Sequence, residues 1–152
     1  MNITIRQAAK SDIPTIVRFN ALLARETEQR ALDEQRLTKG VEALFENSSR
    51  GIYFLAEVDN NVVGQTMITY EWSDWRNGTF WWIQSVYVEK SARGTGVFRS
   101  LFNHIHTLAS ARGQGCGIRL YVDKSNHRAQ QTYSKLGMKR SQYEMFEMDF
   151  VL

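Results

Sequence analysis

Apolar and polar positions alternate along this chain with two different periods, and the switches between them mark its elements. Ile3, Thr4, Ile5 and Arg6 alternate as a short strand does. Ser11 or Asp12 then supplies a cap, Pro14 falls in a first turn, and Ile13, Ile16, Val17, Asn20 and Leu23 recur at helical spacing. That pattern predicts a helix with one stripe against a core. The polar stretch ARETEQRALDEQR predicts a helix end, a turn around Asp33 and a second helix through Phe45, together a suitable rim for a substrate pocket.

Residues 52–58, IYFLAEV, read as a buried strand, and Asp59, Asn60 and Asn61 as a turn that returns the chain through residues 62–70 in an antiparallel hairpin. After a second turn, WSDWRNG, comes the strand 79–88. By simple alternation Phe80, Trp82, Gln84, Val86 and Val88 share one face of it, and Trp81, Ile83, Ser85 and Tyr87 the other. Both faces are largely apolar, as in a central strand covered on two sides. Val97, Phe98, Leu101, Phe102, Ile105, Leu108 and Ala109 mark a broad helical face that stops near Gly113. Residues 118–122 form the next strand; Ser125 or Asn126 caps another helix, with Ala129, Thr132, Tyr133 and Leu136 inward and Gly137 at its end. Residues 143–150, YEMFEMDF, alternate like a last strand at a sheet edge. The order predicts one mixed α/β sheet with helices on both faces and no internal repeat.

The 152 residues suit a single domain, residues 1–152. Four Trp, six Tyr and eight Phe exceed the needs of a core this size, so some should line a pocket. A formal charge of +3 is spread along the chain instead of gathered in one run, which supports nucleic-acid binding only weakly and fits steering of an anionic cofactor equally well. The lone Cys116 excludes an internal disulfide and suits a reducing compartment. No apolar run reaches about 18 residues, and the opening MNITIRQAAKSDIP has no apolar signal-peptide core. A cytoplasmic protein with neither membrane nor nucleic-acid partner is expected. His104, His106 and His127 have no metal-ligand spacing, so no metal is expected.

The stretch with the most chemistry is QSVYVEKSARGTGVFRSLFNH, where an apolar strand meets a basic, glycine-bearing turn that opens directly into a helix. Backbone N–H groups at a helix start form an anion site, and glycines let main chain approach a ligand closely. A Walker loop would need Gly-Lys-Ser/Thr, but Val97 and Phe98 follow Gly96. A dinucleotide fingerprint would need a third glycine where Arg99 stands. A pyrophosphate site remains, made of amides from Gly94, Thr95, Gly96, Val97 and Phe98, with the planar fork of Arg93 adding charge. The alternative is a solvated turn whose Gly96 merely permits tight packing.

The segment SVYVEKSARGTGVFRSLF resembles the acetyl-coenzyme A binding motif of the GCN5-related N-acetyltransferases (GNAT superfamily), and NHRAQQTYSKLGM resembles that family's second motif. Arg93 and Gly96 match the first motif; Phe98 stands where the family has a small residue. The resemblance implies a single-domain, mostly antiparallel central sheet with helices on both faces and a strand splayed at the cofactor site. It implies that main-chain groups of Val86, Tyr87 and Val88 pair with the pantetheine arm, that Asn126 bonds the pantetheine amides, and that the Tyr133 hydroxyl lies near the cofactor sulfur. The family often dimerises, and the 143–150 run could pair with a partner at a sheet edge or complete the sheet of one monomer.

On this reading a primary amine of a small molecule attacks the thioester of acetyl-CoA directly, the oxyanion faces main-chain N–H near Val88, and Tyr133 assists the departing thiolate. Glu26 and Glu71 are the candidates to contact substrate or to accept the amine proton. Trp72, Trp82 and Gln84 are candidate acceptor contacts, the tryptophans through their ring faces. Acceptors of another class, a protein amino terminus or lysine, and a non-catalytic acyl-CoA sensor are the competing expectations.

Overall fold

A computed structural model describes residues 2–111, 113 and 115–152. Its elements are β1 (Ile3–Gln7), α1 (Ile13–Glu28), α2 (Glu34–Glu46), β2 (Ile52–Val58), β3 (Asn61–Ser73), β4 (Gly78–Val88), α3 (Val97–Ser110), β5 (Gly117–Arg119) and α4 (His127–Lys135). The chain divides into two compact units, residues 1–120 and 121–152.

In the first unit the strands lie in the order β1-β2-β3-β4-β5. The first three pairings are antiparallel and β4 with β5 is parallel. Helices α1 and α2 cover one face, where Ile16, Val41 and Leu44 close over Tyr53 and Leu55. Helix α3 covers the other through Leu101, Phe102, Ile105 and Ala109. Leu101 and Ile105 are wholly buried; each such side chain is worth about 1.5–3 kcal/mol of transfer free energy. That packing fixes the start of α3, and with it the glycine turn, against the end of β4.

Local signals place the helix ends. Pro14 sits in the first turn of α1, and the Asp33 side chain accepts the Arg36 N–H at 2.7 Å to open α2. Arg6 ties β1 to its surroundings through Asp12 and Glu57, each at 2.7 Å.

Three expectations need correction. Simple alternation fails in β4, because two residues, Ser85 and Val86, stand opposite the single Thr66 between the pairs Gln84↔Met67 and Tyr87↔Gln65. This β-bulge reverses the faces beyond it. Tyr87 turns to the α1 side and packs on Phe19 with ring centroids 5.0 Å apart. Val88 joins the α3 side, near Val97 and Gly64.

The second correction concerns residues 143–150, which form no strand. Tyr143, Phe146, Met148 and Phe150 are 78–93% exposed. Alternation prepares a segment for a sheet edge, but a strand exists only where a neighbouring ladder accepts it. The 118–122 strand is also shorter than its pattern suggests, as the three-residue β5.

In the second unit Asn126 caps α4 by accepting the Ala129 N–H at 3.1 Å. Ser125 donates to Asp123 through both its N–H and its hydroxyl. Gly137, at φ 88°, lets the chain leave the helix.

Candidate active site

Strand β4 has two halves. From Phe80 to Trp82 it is flanked by β3 and β5, but β5 ends at Arg119, opposite Trp82. Beyond that point, among the described residues, β4 has a paired neighbour only on the β3 side. This open edge contains the bulge and ends beside the glycine turn.

At the bulge Ser85 adopts φ +50°, a left-handed conformation in mid-strand that costs a non-glycine residue about 1–2 kcal/mol. Buried side chains of β3 hold it. Thr66 Oγ1 donates to the Gln84 carbonyl at 3.0 Å, and Gln65 Nε2 donates to the Ser85 carbonyl at 3.3 Å. In a planar trans peptide the N–H points opposite to the C=O. With both carbonyls drawn toward β3, the N–H groups of Ser85 and Val86 point away from it. Two consecutive main-chain donors on an open edge can bind an oxygen that gains negative charge.

At the glycine turn Gly94 and Gly96 have φ +82° and +95°, and a Cβ on either would meet nothing within 4 Å. Conformation, not crowding, demands glycine here, and the space over the turn is open for a ligand. Thr95 turns its hydroxyl back to the Ala92 carbonyl at 2.7 Å, and Val97 buries its side chain, so both offer main chain outward. Phe98 lies along α3 toward Phe102, with centroids 6.3 Å apart. The residues fit a pyrophosphate: left-handed glycines lead into the positive end of a 14-residue helix.

Arg93 is held at this turn from two sides. Its Nε donates to the Val88 carbonyl at 2.8 Å and its Nη2 to Glu26 at 2.7 Å. Glu26, on the last turn of α1, also lies 3.8 Å from Lys90 Nζ and 3.4 Å from the Tyr87 hydroxyl. The hydrogen bond from Arg93 above all holds the Glu26 carboxyl below its ordinary range. Burial first, then the Glu26 charge, pushes the Tyr87 hydroxyl up.

A second cluster occupies the other half of β4. Glu71 accepts Trp82 Nε1 at 2.8 Å and Arg119 Nη1 at 2.8 and 3.0 Å, and Arg119 stacks over Phe80 at 3.6 Å. The Trp82 and Arg119 donors hold the Glu71 carboxyl below its ordinary range. Gln84 bonds the Thr69 hydroxyl on the same face. Trp72 lies on the opposite face from Glu71 and is 64% exposed. Glu71 pairs with Phe80, five residues before Ser85. At about 3.3 Å per residue the Glu71 backbone stands about 16 Å from the bulge along the strand.

The structure thus gathers Val86, Tyr87, Val88, Arg93, Gly94, Thr95, Gly96, Val97, Phe98 and Glu26 around the end of β4 and separates them from Glu71 and Trp82. Asn126 and Tyr133 lie in the second unit, where burial raises the pKa of the Tyr133 hydroxyl. Sequence reasoning did not single out Gln65, Thr66, Ser85 or Arg119 as site residues. The available signal was polarity at core positions of apolar strands: Gln65 and Thr66 are wholly buried.

Comparison with known proteins agrees with this fold. A crystal structure of a possible acetyltransferase from Clostridium difficile 630 superposes with a TM-score of 0.91, at 47% identity over 100% of both chains. A predicted acetyltransferase from Clostridium acetobutylicum, crystallised with acetyl-CoA, has a TM-score of 0.78 and 19% identity over 97% of this chain and 96% of its own. The ribosomal-protein-alanine N-acetyltransferase from Brucella melitensis biovar Abortus 2308 shares the fold at TM-score 0.79 and 15% identity, over 99% of this chain and 100% of its own. No curated protein matches the chain. Residues 19–138 match the acetyltransferase (GNAT) family across both motifs, and the chain belongs to that family.

Proposed function

We propose that this acetyltransferase moves the acetyl group of acetyl-CoA to a primary amine of a small molecule by direct attack. The observation that carries the reading is the pair of N–H donors at Ser85 and Val86, on an open strand edge that ends beside an anion-binding turn.

Acetyl-CoA supplies a thioester: the amine nitrogen bonds to the acyl carbon, the carbon–sulfur bond breaks, nitrogen loses one proton and sulfur gains one. Main chain of residues 94–98 and the Arg93 guanidinium hold the pyrophosphate, and the open edge from Val86 to Val88 orients the pantetheine amides. The N–H groups of Ser85 and Val86 face the acyl oxygen as it becomes negative, a site nearer the bulge than Val88. Asn126, whose side chain caps α4, takes the pantetheine contact that the motif implies. The Tyr133 hydroxyl, which the second motif implies lies near the cofactor sulfur, assists the departing thiolate with a hydrogen bond or a proton.

The two glutamates take other roles than general base. Hydrogen-bond donors, Arg93 at Glu26 and Trp82 with Arg119 at Glu71, hold both carboxyls below their ordinary range, which makes each a poorer base. Glu26 positions Arg93. Glu71, far from the bulge, positions Arg119 and Trp82 at the distal end of the acceptor pocket, whose floor continues through Gln84. Titration calorimetry with acetyl-CoA, followed by thiol release over panels of small amines and peptides, tests the reading. Micromolar binding with release dependent on small amines supports it. Release with peptides alone, or binding without release, overturns it.

A further inference from the structure

The bulge depends on a buried polar chain that reaches across three elements. Gln65 of β3 is wholly buried; its Nε2 donates to both the Ser85 carbonyl, at 3.3 Å, and Asn20 Oδ1, at 2.9 Å. Asn20 of α1, 7% exposed, donates its Nδ2 to the Tyr53 hydroxyl at 3.0 Å, and that hydroxyl faces the Ser85 side chain. The polar chain therefore grips the Ser85 carbonyl through Gln65 and returns beside the Ser85 side chain at Tyr53.

A purely structural purpose explains this poorly. Gln65 Oε1 has no hydrogen-bond partner and is buried, a cost that an apolar residue at position 65 would not incur. What only the amide supplies is an N–H aimed at the Ser85 carbonyl.

We infer that Gln65 and Asn20 are positioning residues for acetyl transfer: they hold the Ser85 carbonyl inward and so aim the Val86 N–H at the acyl oxygen. The inference rests on the reading of the bulge as the oxyanion site. Neither side chain touches substrate. Their effect passes through one peptide plane, so it should reside in turnover and not in affinity for coenzyme A.

The test compares wild type with Gln65→Met, which keeps length and removes the donor, and with Asn20→Leu. Ile105→Ala serves as a control for general destabilisation, since Ile105 is wholly buried on α3, across the sheet from the α1 side where Gln65 bonds Asn20. Removing one oxyanion donor lowers kcat about 10²- to 10³-fold, and a misaimed donor should approach that loss. The expected result is a kcat at least about 30-fold lower in Gln65→Met, with the Kd of coenzyme A within about threefold and a Tm no lower than that of Ile105→Ala. A kcat within threefold of wild type, or a fall that Ile105→Ala reproduces at equal Tm, overturns the inference.

A second measurement separates this inference from the functional reading. A ketone analogue of acetyl-CoA, with CH2 between sulfur and carbonyl, keeps the oxygen and cannot transfer. Wild type should bind it more tightly than coenzyme A, and Gln65→Met should lose that preference. If wild type transfers to no amine, the functional reading falls while this preference still decides the positioning role. An equal preference in both proteins, or in neither, overturns the inference.

Discussion

The glycine turn and the β4 bulge both place the backbone in the left-handed region beside the presumed chemistry, but they reach it by opposite means. At the turn, Gly94 and Gly96 adopt positive φ with open space around them. At the bulge, Ser85 adopts it under constraint from Gln65, Asn20, Tyr53 and Thr66. A turn over solvent needs only permissive residues, because water satisfies whatever groups the protein leaves open. A bulge inside a sheet must satisfy every displaced carbonyl from within. Binding of an anion is assigned to the first, and the finer aim of a donor to the second.

This contrast can be broken most directly at Ser85. A β-branched residue resists the left-handed region and would crowd the Tyr53 hydroxyl, so Ser85→Val should lower kcat about 100-fold. Ser85→Gly adopts the conformation freely and should stay within a few fold. Equal kcat values for the two variants in a thiol-release assay would mean that the bulge conformation is irrelevant to turnover.

Gly96→Ala probes the other side. Holding alanine at φ +95° costs about 1–2 kcal/mol, which predicts about tenfold weaker acetyl-CoA binding with kcat at saturation little changed. Calorimetry checks the affinity. Loss confined to kcat would exchange the roles of the two regions.

Glu71→Gln should raise the KM of the acceptor several-fold and leave kcat within about twofold, because Glu71 pairs with Phe80, five residues before the bulge, and its carboxylate is engaged by Trp82 and Arg119. A kcat loss above about 100-fold, with a pH–rate profile that loses its acidic limb, would instead make Glu71 the base.

The smallest effect belongs to Glu26. Glu26→Gln removes a negative charge from beside Arg93 and should lower the acetyl-CoA KM about two- to threefold, more at low salt. Since Arg93 holds the carboxyl below its ordinary range, the pair contributes stability above the unfolded glutamate pKa. That contribution is lost as pH falls through the lower folded value. Between pH 6 and 8 the difference in KM between wild type and variant should be flat. A difference that titrates in that window would show Glu26 changing charge there.

Much of the fold was legible because its signals are local. Helix stripes around Ile16 and Leu101, the cap at Asp33 and the Asp59, Asn60, Asn61 turn each act within a few residues. The glycine turn was legible for the same reason. The Tyr143 to Phe150 pattern was misleading because alternation records what a segment is ready to pair with, and the described residues form no ladder there. The β4 faces were misassigned because a bulge leaves no glycine or proline mark when its conformation is enforced from neighbouring strands.

The sequence by itself determined the order of strands and helices as far as α4, the glycine turn and the two motifs, since each rests on spacing along one stretch of chain. Tertiary structure alone decided where β4 loses its β5 neighbour, which way Tyr87 and Val88 face, and which arginine each glutamate holds. Those facts depend on residues far apart in the chain meeting in space, as Glu71 meets Arg119, 48 positions on, and Glu26 meets Arg93, 67 positions on. Local spacing carries no record of such meetings; packing creates them.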